Sequence, residues 1–293
     1  MSAKQFFLDR YAKLGWLYKE IRLKQSIRIN QINAKGKNLP KRLRILGVDL
    51  QKVPFLSAGY WVNKSNVSVG ATAEYLLGLY SVQEAAAQIP ASLFTSLGGK
   101  MVLDACAAPG GKTLQLSDLM ENSGVITALD ISKQRLNALA NHLERCHVSN
   151  TIVYNIDARQ VGMLNRKFDR ILLDVPCSGN FAGDKEWFYR RTLADIARNA
   201  EVQRAILAET ATCLAEGGEI VYSTCSLEPE EDELNMDWAV NNLGLQIQKV
   251  ECYGASGLTE VFGRKLEPEV AFCKRIWPGE TQGFFVCKLK KGV

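Results

Sequence analysis

Two histidines occur in 293 residues, and no two of the eight cysteines stand three apart. A zinc ribbon, a thioredoxin-type pair and a His-rich metal site are therefore not expected. No apolar run reaches the roughly 18 residues that cross a bilayer. The N-terminus mixes lysine, aromatic and polar residues and has no secretory apolar core, so a cytoplasmic location is expected, without membrane attachment. The phosphate-loop pattern G-x-x-x-x-G-K-S/T is missing, as is the dinucleotide pattern G-x-G-x-x-G. Internal repeats and low-complexity tracts are also lacking.

What is present is a globular composition with 47% hydrophobic residues and a net charge of +5. That charge is uneven. Residues 1–44 carry 12 Lys or Arg against Asp9 and Glu20, while the remainder has a small acidic excess. A basic front on an acidic body suits a polyanionic partner, nucleic acid above all. In the cytosol the thiols stay reduced. Cys146, Cys213, Cys252, Cys273 and Cys287 read as small packing residues.

Periodicity divides the chain in two. Residues 1–29 have apolar positions near helical spacing, and most aromatics there (Phe6, Phe7, Tyr11, Trp16, Tyr18) are expected in the core. Residues 35–40 are expected as a loop, 44–48 and 60–63 as extended, and 78–89 as a helix ended by Pro90. From Lys100, strands are expected over 101–105, 125–129, 152–155, 168–173, 219–223, 245–249 and 283–289. Helices are expected over 112–120, 133–145, 196–215 (closed by Glu216-Gly217-Gly218) and 229–241. The alternation predicts an α/β fold with a doubly wound, Rossmann-like sheet. A small basic α+β domain over residues 1–75 would precede a catalytic domain over 76–293.

In such sheets ligands bind beyond the carboxyl ends of the strands. Ala108-Pro109-Gly110-Gly111-Lys112 lies between a strand and a helix, where glycines admit a ligand close to the backbone. Asp130, Asp157 and Asp174 follow three successive strands, as ribose- and base-binding acids do. Two cysteines also sit at strand exits: Cys177 in Asp174-Val175-Pro176-Cys177-Ser178-Gly179 and Cys225 in Ser223-Thr224-Cys225-Ser226. Carbon 5 of a pyrimidine is too weak a nucleophile to take a methyl from a sulfonium directly. A thiolate adding to carbon 6 enriches carbon 5, and a second group must then help remove its proton. Two thiols in one crevice fit this chemistry. Asp174 would hydrogen-bond the cytosine edge, and Lys112 would favour a thiolate at Cys225.

Asp104–Thr113, Asp174–Gly179 and Ser223–Ser226 together resemble the motifs of the Sun-type RNA (cytosine-5) methyltransferases, over most of the chain from Gly78 to Phe285. The resemblance is to the compact tRNA-type members. It implies methyl transfer from S-adenosylmethionine to carbon 5 of cytosine in RNA, tRNA before rRNA. It implies Cys225 as nucleophile and Cys177 as the thiol assisting product release. It implies donor binding by Cys106, Ala107, Ala108, Pro109, Gly110, Gly111, Lys112, Asp130, Arg135, Asp157 and Asp174, with no metal. DNA cytosine-5 methyltransferases are set apart: they attack through a Pro-Cys cysteine and carry Glu-Asn-Val, which this chain lacks. One departure stands out. Where the family commonly has Arg-x-x-Pro-His, this chain has Arg275-Ile276-Trp277-Pro278-Gly279. A catalytically silent RNA-binding assembly factor is the reading from another class. It predicts loss of a thiol or of the glycine turn, and both are present.

Overall fold

A computed structural model of the chain describes residues 2–292. Helix α1 (Ala3–Lys13) starts at Ser2, whose hydroxyl accepts the Gln5 N–H at 3.2 Å. It stops well short of residue 29, because Gly15 follows at φ +86° and turns the chain out of the helix. Ser26–Ile29 is instead strand β1, where the β-branched Ile27 and Ile29 suit a pleated surface. Helix α2 (Leu39–Ile45) occupies part of the expected loop and extended stretch, with Pro40 in its first turn. Strand β2 (Val48–Lys52) begins after Gly47, and β3 (Gly59–Ser65) follows.

After the short α3 (Ala73–Leu76), Gly78–Ile89 is not the helix its spacing suggests. Tyr80–Val82 forms β4, and α4 (Ile89–Ser92) begins where a stop was expected. Pro90 lies in the first turn of α4, where a missing N–H breaks no intrahelical bond. Strands β1–β4 form an antiparallel sheet in the order β2-β3-β1-β4.

Beyond residue 100 the sequence pattern is followed closely. The succession is β5 (Met101–Asp104), α5 (Gly111–Leu119), β6 (Val125–Leu129), α6 (Lys133–Arg145), β7 (Thr151–Tyr154) and β8 (Phe168–Asp174). Then come α7 (Trp187–Arg190), α8 (Leu193–Thr212), β9 (Leu214–Thr224), α9 (Glu233–Leu243) and β10 (Leu245–Gln248). Strands β11 (Ala255–Ser256), β12 (Glu260–Val261) and β13 (Arg264–Lys265) are short, and β14 (Lys274–Ile276) and β15 (Phe284–Lys291) follow them. Two expectations are corrected. Glu216–Gly218 does not cap α8 but lies within β9, where the register with β8 shifts between Phe168 and Arg170 and Gly217 takes φ +67°. Helix α9 begins at Glu233, because Pro229–Asp232 forms a buried turn.

Strands β7-β6-β5-β8-β9 are parallel neighbours in that order, and β15 runs antiparallel beside β9. The chain order reverses between β5 and β8, the place where open α/β sheets bind ligands. Alternate residues face opposite sides of the sheet. Val102, Ile126, Leu172 and Val221 pack with Leu116 of α5 and with Met120 just after it. Leu103, Ile171, Leu173, Ile220 and Tyr222 pack with Ile206 and Leu207 of α8. No helix among the described residues is long and apolar enough to cross a membrane.

The N-terminal elements are bound to this body through buried charge and aromatic contacts. Arg28 pairs with Asp118 of α5 at 2.8 Å, both nearly inaccessible. Tyr11 donates to Glu228 at 2.7 Å, Arg10 reaches Glu230 at 2.8 Å, and Phe7 meets the Trp187 ring at 4.8 Å. Trp16 stacks on Trp277 at 5.6 Å. Most of the named aromatics are thus core, as expected, with Phe6 and Tyr18 exposed.

Candidate active site

The register Asp174↔Ser223 between β8 and β9 sets two strand exits side by side. Cys177 lies three residues past one pair member and Cys225 two residues past the other. Their sulfurs are 3.1 Å apart. The turn after β8 is shaped by Gly179 at φ +71°, a conformation that suits glycine.

Two cavities meet at these thiols. One, of about 290 Å³, is bordered by Cys106, Ala108, Asp130, Arg135, Asp157 and Asp174 together with both cysteines. The other, of about 220 Å³, is bordered by both cysteines and by Asn180, Asp184, Arg191 and Gln282. A pair of sulfurs between two cavities is the arrangement needed to bring two bound molecules together.

The three expected acids all border the larger cavity, each beside a cation. Asp130 accepts the Ser132 N–H at 2.8 Å and the Ala108 N–H at 3.2 Å, and pairs with Arg135 at 3.3 Å. Asp157 caps the turn after β7 and pairs with Arg159 at 2.6 Å, which holds its carboxyl below the usual range. Asp174 accepts from Lys112 at 2.6 Å and from Ser223 Oγ at 2.8 Å. Lys112 therefore bonds Asp174 rather than the Cys225 sulfur, and acts on that thiol only through space.

Ala107, Pro109, Gly110, Gly111 and Lys112 are not among the residues bordering the cavity. Ala107 donates its N–H to Leu129 at 2.8 Å, and the exposed Pro109 turns its carbonyl to His142 Nδ1 at 2.7 Å. Gly110 has φ +110°, a backbone conformation that strains any other residue, and the turn packs beside Leu139 of α6. Burial pushes the Cys106 thiol up, so it stays neutral.

The two paired thiols differ. The hydrogen bond from the Cys177 thiol lowers Cys225, outweighing burial and the Asp174 charge, and the Lys112 charge lowers it further. The same bond, with burial, pushes Cys177 up. Of the pair, Cys225 is thus the thiol shifted down and Cys177 the one shifted up.

A strap of buried polar groups holds the two turns together, and it has no signature in residue spacing. Glu231, fully buried, accepts from Ser178 N at 2.9 Å, Ser178 Oγ at 2.6 Å, Gln203 Nε2 at 3.2 Å and Ser226 Oγ. Asn180 donates to the carbonyls of Cys225 at 2.7 Å and Gly283 at 3.0 Å. Arg275 is fully buried, bonded to Glu233 Oε1 and to the Leu227 carbonyl, each at 2.8 Å. Arg275, at the head of the 275–279 segment, is thus tied to the stretch that follows Cys225. Replacing Glu231 by Ala would leave several buried donors without an acceptor and should cost about 3 kcal/mol. Denaturant unfolding would show this, and alkylation of Cys225 in the folded protein would be faster; unchanged midpoints and alkylation rates would refute the strap.

The chain matches known proteins along most of its length. The family described as 16S rRNA methyltransferase RsmB/F matches residues 93–290, and the N-terminal domain of 16S rRNA methyltransferase RsmF matches residues 3–85. A human 28S rRNA (cytosine(4447)-C(5))-methyltransferase is 33% identical over 91% of this chain and 34% of its own length. A Pyrococcus abyssi tRNA (cytosine(49)-C(5))-methyltransferase is 32% identical over 97% of this chain and 95% of its own. The solved structure of a methyltransferase homolog from Pyrococcus horikoshii superposes with a TM-score of 0.86 at 35% identity, covering 98% of this chain and 99% of that one. The chain spans about a third to three fifths of the length of the ribosomal RNA relatives it matches. Fold, motifs and relatives agree with the Sun-type resemblance, and the chain belongs to the RsmB/F family of 16S rRNA methyltransferases.

Proposed function

We propose that this protein transfers a methyl group from S-adenosylmethionine to carbon 5 of a cytosine in RNA. The observation that carries the proposal is the pair of sulfurs 3.1 Å apart where two cavities meet. The larger cavity suits the donor: acids at strand ends for ribose and adenine, and cations beside them for a carboxylate. Bound there, the donor supplies an electrophilic methyl group. The smaller cavity takes the target base, which must leave its stack to reach a thiol.

Cys225 attacks carbon 6, helped by the hydrogen bond that lowers its pKa. Asp174, at the thiol end of the larger cavity, hydrogen-bonds the cytosine edge, and Lys112 fixes that carboxylate. With Cys225 bonded to carbon 6, the contact that kept Cys177 protonated is lost and Cys177 gives its proton to water; its thiolate then takes the carbon 5 proton, the carbon 6–sulfur bond breaks, and Cys225 leaves as thiolate. Incubation with RNA and methyl-labelled donor, followed by nucleoside analysis, tests the reading directly. Label in any product other than 5-methylcytosine would remove it.

Transfer RNA is the favoured substrate. The relative covered almost end to end on both sides acts, by its name, on tRNA. Ribosomal RNA is the second reading, favoured by the family model and by relatives named for it. RNA rather than DNA remains the partner, and the cytoplasm, where thiols stay reduced, the place of action.

Residues 1–75 act as an RNA-holding domain and 76–293 as the methyltransferase domain. Five of the front-end cations are committed to acidic partners: Arg10, Arg22, Lys24, Arg28 and Arg42. Lys13, Lys19, Lys35, Lys37, Lys41 and Arg44 are exposed, with no acidic partner among the described residues. Replacing these six by Gln should weaken RNA binding and lower its salt slope by roughly one per lost phosphate contact. A slope equal to that of the unaltered protein would show that the cations are only solvated.

A further inference from the structure

The segment Asn180–Tyr189 separates two cavities. Asn180, Asp184 and Trp187 border the one at the thiols. Phe181, Lys185, Phe188 and Tyr189 border another of about 320 Å³, whose other wall is Lys4, Tyr18 and Glu20 from the N-terminal region. This second cavity is built from rings. Phe181 stacks on Phe188 at 4.8 Å, and Tyr18 lies 6.0 Å from Phe181. Tyr18 is 48% and Tyr189 73% exposed, so both are open to a ligand.

Its rim is cationic. Lys4 Nζ stands 5.1 Å over the Tyr18 ring, and Lys185 has no acidic partner among the described residues. The acid present, Glu20, lies 3.5 Å from Arg22. Aromatic walls with a basic rim form a stacking platform for an unstacked nucleobase and its phosphate. A hydrophobic protein segment would have no use for the two lysines.

We propose that this cavity holds a nucleotide flanking the target cytidine, its base against Tyr18 and Tyr189 and its phosphate beside Lys4 and Lys185. The inference rests on the RNA reading above. The two cavities are bordered by interleaved residues of one ten-residue segment, so adjacent nucleotides of a splayed strand can enter both. Stacking accepts every base, so the cavity would add affinity with little sequence preference.

The test uses the full chain and direct binding of a short single-stranded RNA with one central cytidine. The same RNA is also made with an abasic site on either side of that cytidine. The double variant Tyr18→Ala/Tyr189→Ala removes two open rings and leaves the core intact; Tyr18→Phe/Tyr189→Phe keeps the stacking faces. Wild type should lose affinity roughly tenfold for an abasic site on one flank. The Ala variant should lose about as much on intact RNA and be indifferent to that abasic site, while the Phe variant should behave as wild type.

Equal affinity of wild type and Ala variant for intact RNA would overturn the inference, including the case in which the cavity serves a protein segment. So would a wild type that binds the RNA not at all, or binds all three RNAs alike. Formation of 5-methylcytosine by wild type is measured separately on bulk RNA. Its failure would remove the methyltransferase reading, whereas unchanged binding in the Ala variant would remove only the flanking site.

Discussion

Cys225→Ala is expected to abolish RNA methylation, by at least roughly 10⁴-fold, while binding of a non-reactive donor analogue changes little. The asymmetry follows from position. Cys225 borders the larger cavity, but the carboxylates and cations that would hold the donor follow other strands. Without a thiolate, carbon 5 has no source of the extra electron density it needs, and no neighbouring group replaces it. Cys177 is 3.1 Å away, yet its own thiol is pushed up by the same hydrogen bond and by burial. It is therefore the poorer nucleophile. Retention of more than a hundredth of the activity in the Cys225 variant, or loss of analogue binding in calorimetry, would contradict this assignment.

The same hydrogen bond fixes a pH dependence. Attack needs Cys225 ionised, so methyl transfer should rise with pH through the Cys225 pKa and level off above it. That pKa lies below the ordinary thiol value because the Cys177 thiol donates to the Cys225 sulfur. Removing the donor raises it. In a Cys177→Ala protein the rate of Cys225 alkylation should therefore rise at higher pH than in the unaltered chain. Coincident profiles would mean that the sulfur contact has no influence on ionisation.

How much of this site is visible in sequence differs by residue. The strand exits carrying Cys177, Cys225, Asp130 and Asp174 were legible, because short apolar runs in an α/β alternation fix where strands end and parallel pairing fixes which ends are neighbours. Lys133–Arg145 was legible to the residue, since Ser132 caps it and its apolar face has helical spacing. The front end was not. Residues 1–29 keep apolar spacing beyond Lys13, but Gly15 breaks the helix and Ile27 and Ile29 pair into a sheet that only distant segments complete.

Glu231 escaped for another reason. A glutamate in Pro-Glu-Glu-Asp-Glu reads as surface charge, and only the fold turns it inward to meet donors from two other elements. Its functional signal is burial, which sequence does not carry. Arg159 and Ser223 were missed likewise, as partners of acids whose own positions were foreseen.

Cys177→Ala is expected to give the opposite phenotype to Cys225→Ala: a protein that attacks and methylates but does not let go. In the proposed reaction, the base after methyl transfer is bonded to the Cys225 sulfur and still carries the carbon 5 proton. Release requires that proton to move to an acceptor while the carbon 6–sulfur bond breaks. Among the described residues the Cys177 sulfur is the titratable atom in direct contact with Cys225, and Asp174 is already occupied by Lys112 and Ser223. With Cys177 gone, the strap through Ser178 and Glu231 still holds the turn, so attack proceeds. Covalent RNA–protein adduct should then accumulate to a large fraction of the enzyme and resist denaturation, appearing as a slow-migrating band that carries label from the donor. The band should vanish in Cys177→Ala/Cys225→Ala, because the bond runs through Cys225. Rapid turnover in the Cys177 variant with no adduct would show that another base, water included, removes the proton, and would reduce Cys177 to the hydrogen-bond donor that poises its neighbour.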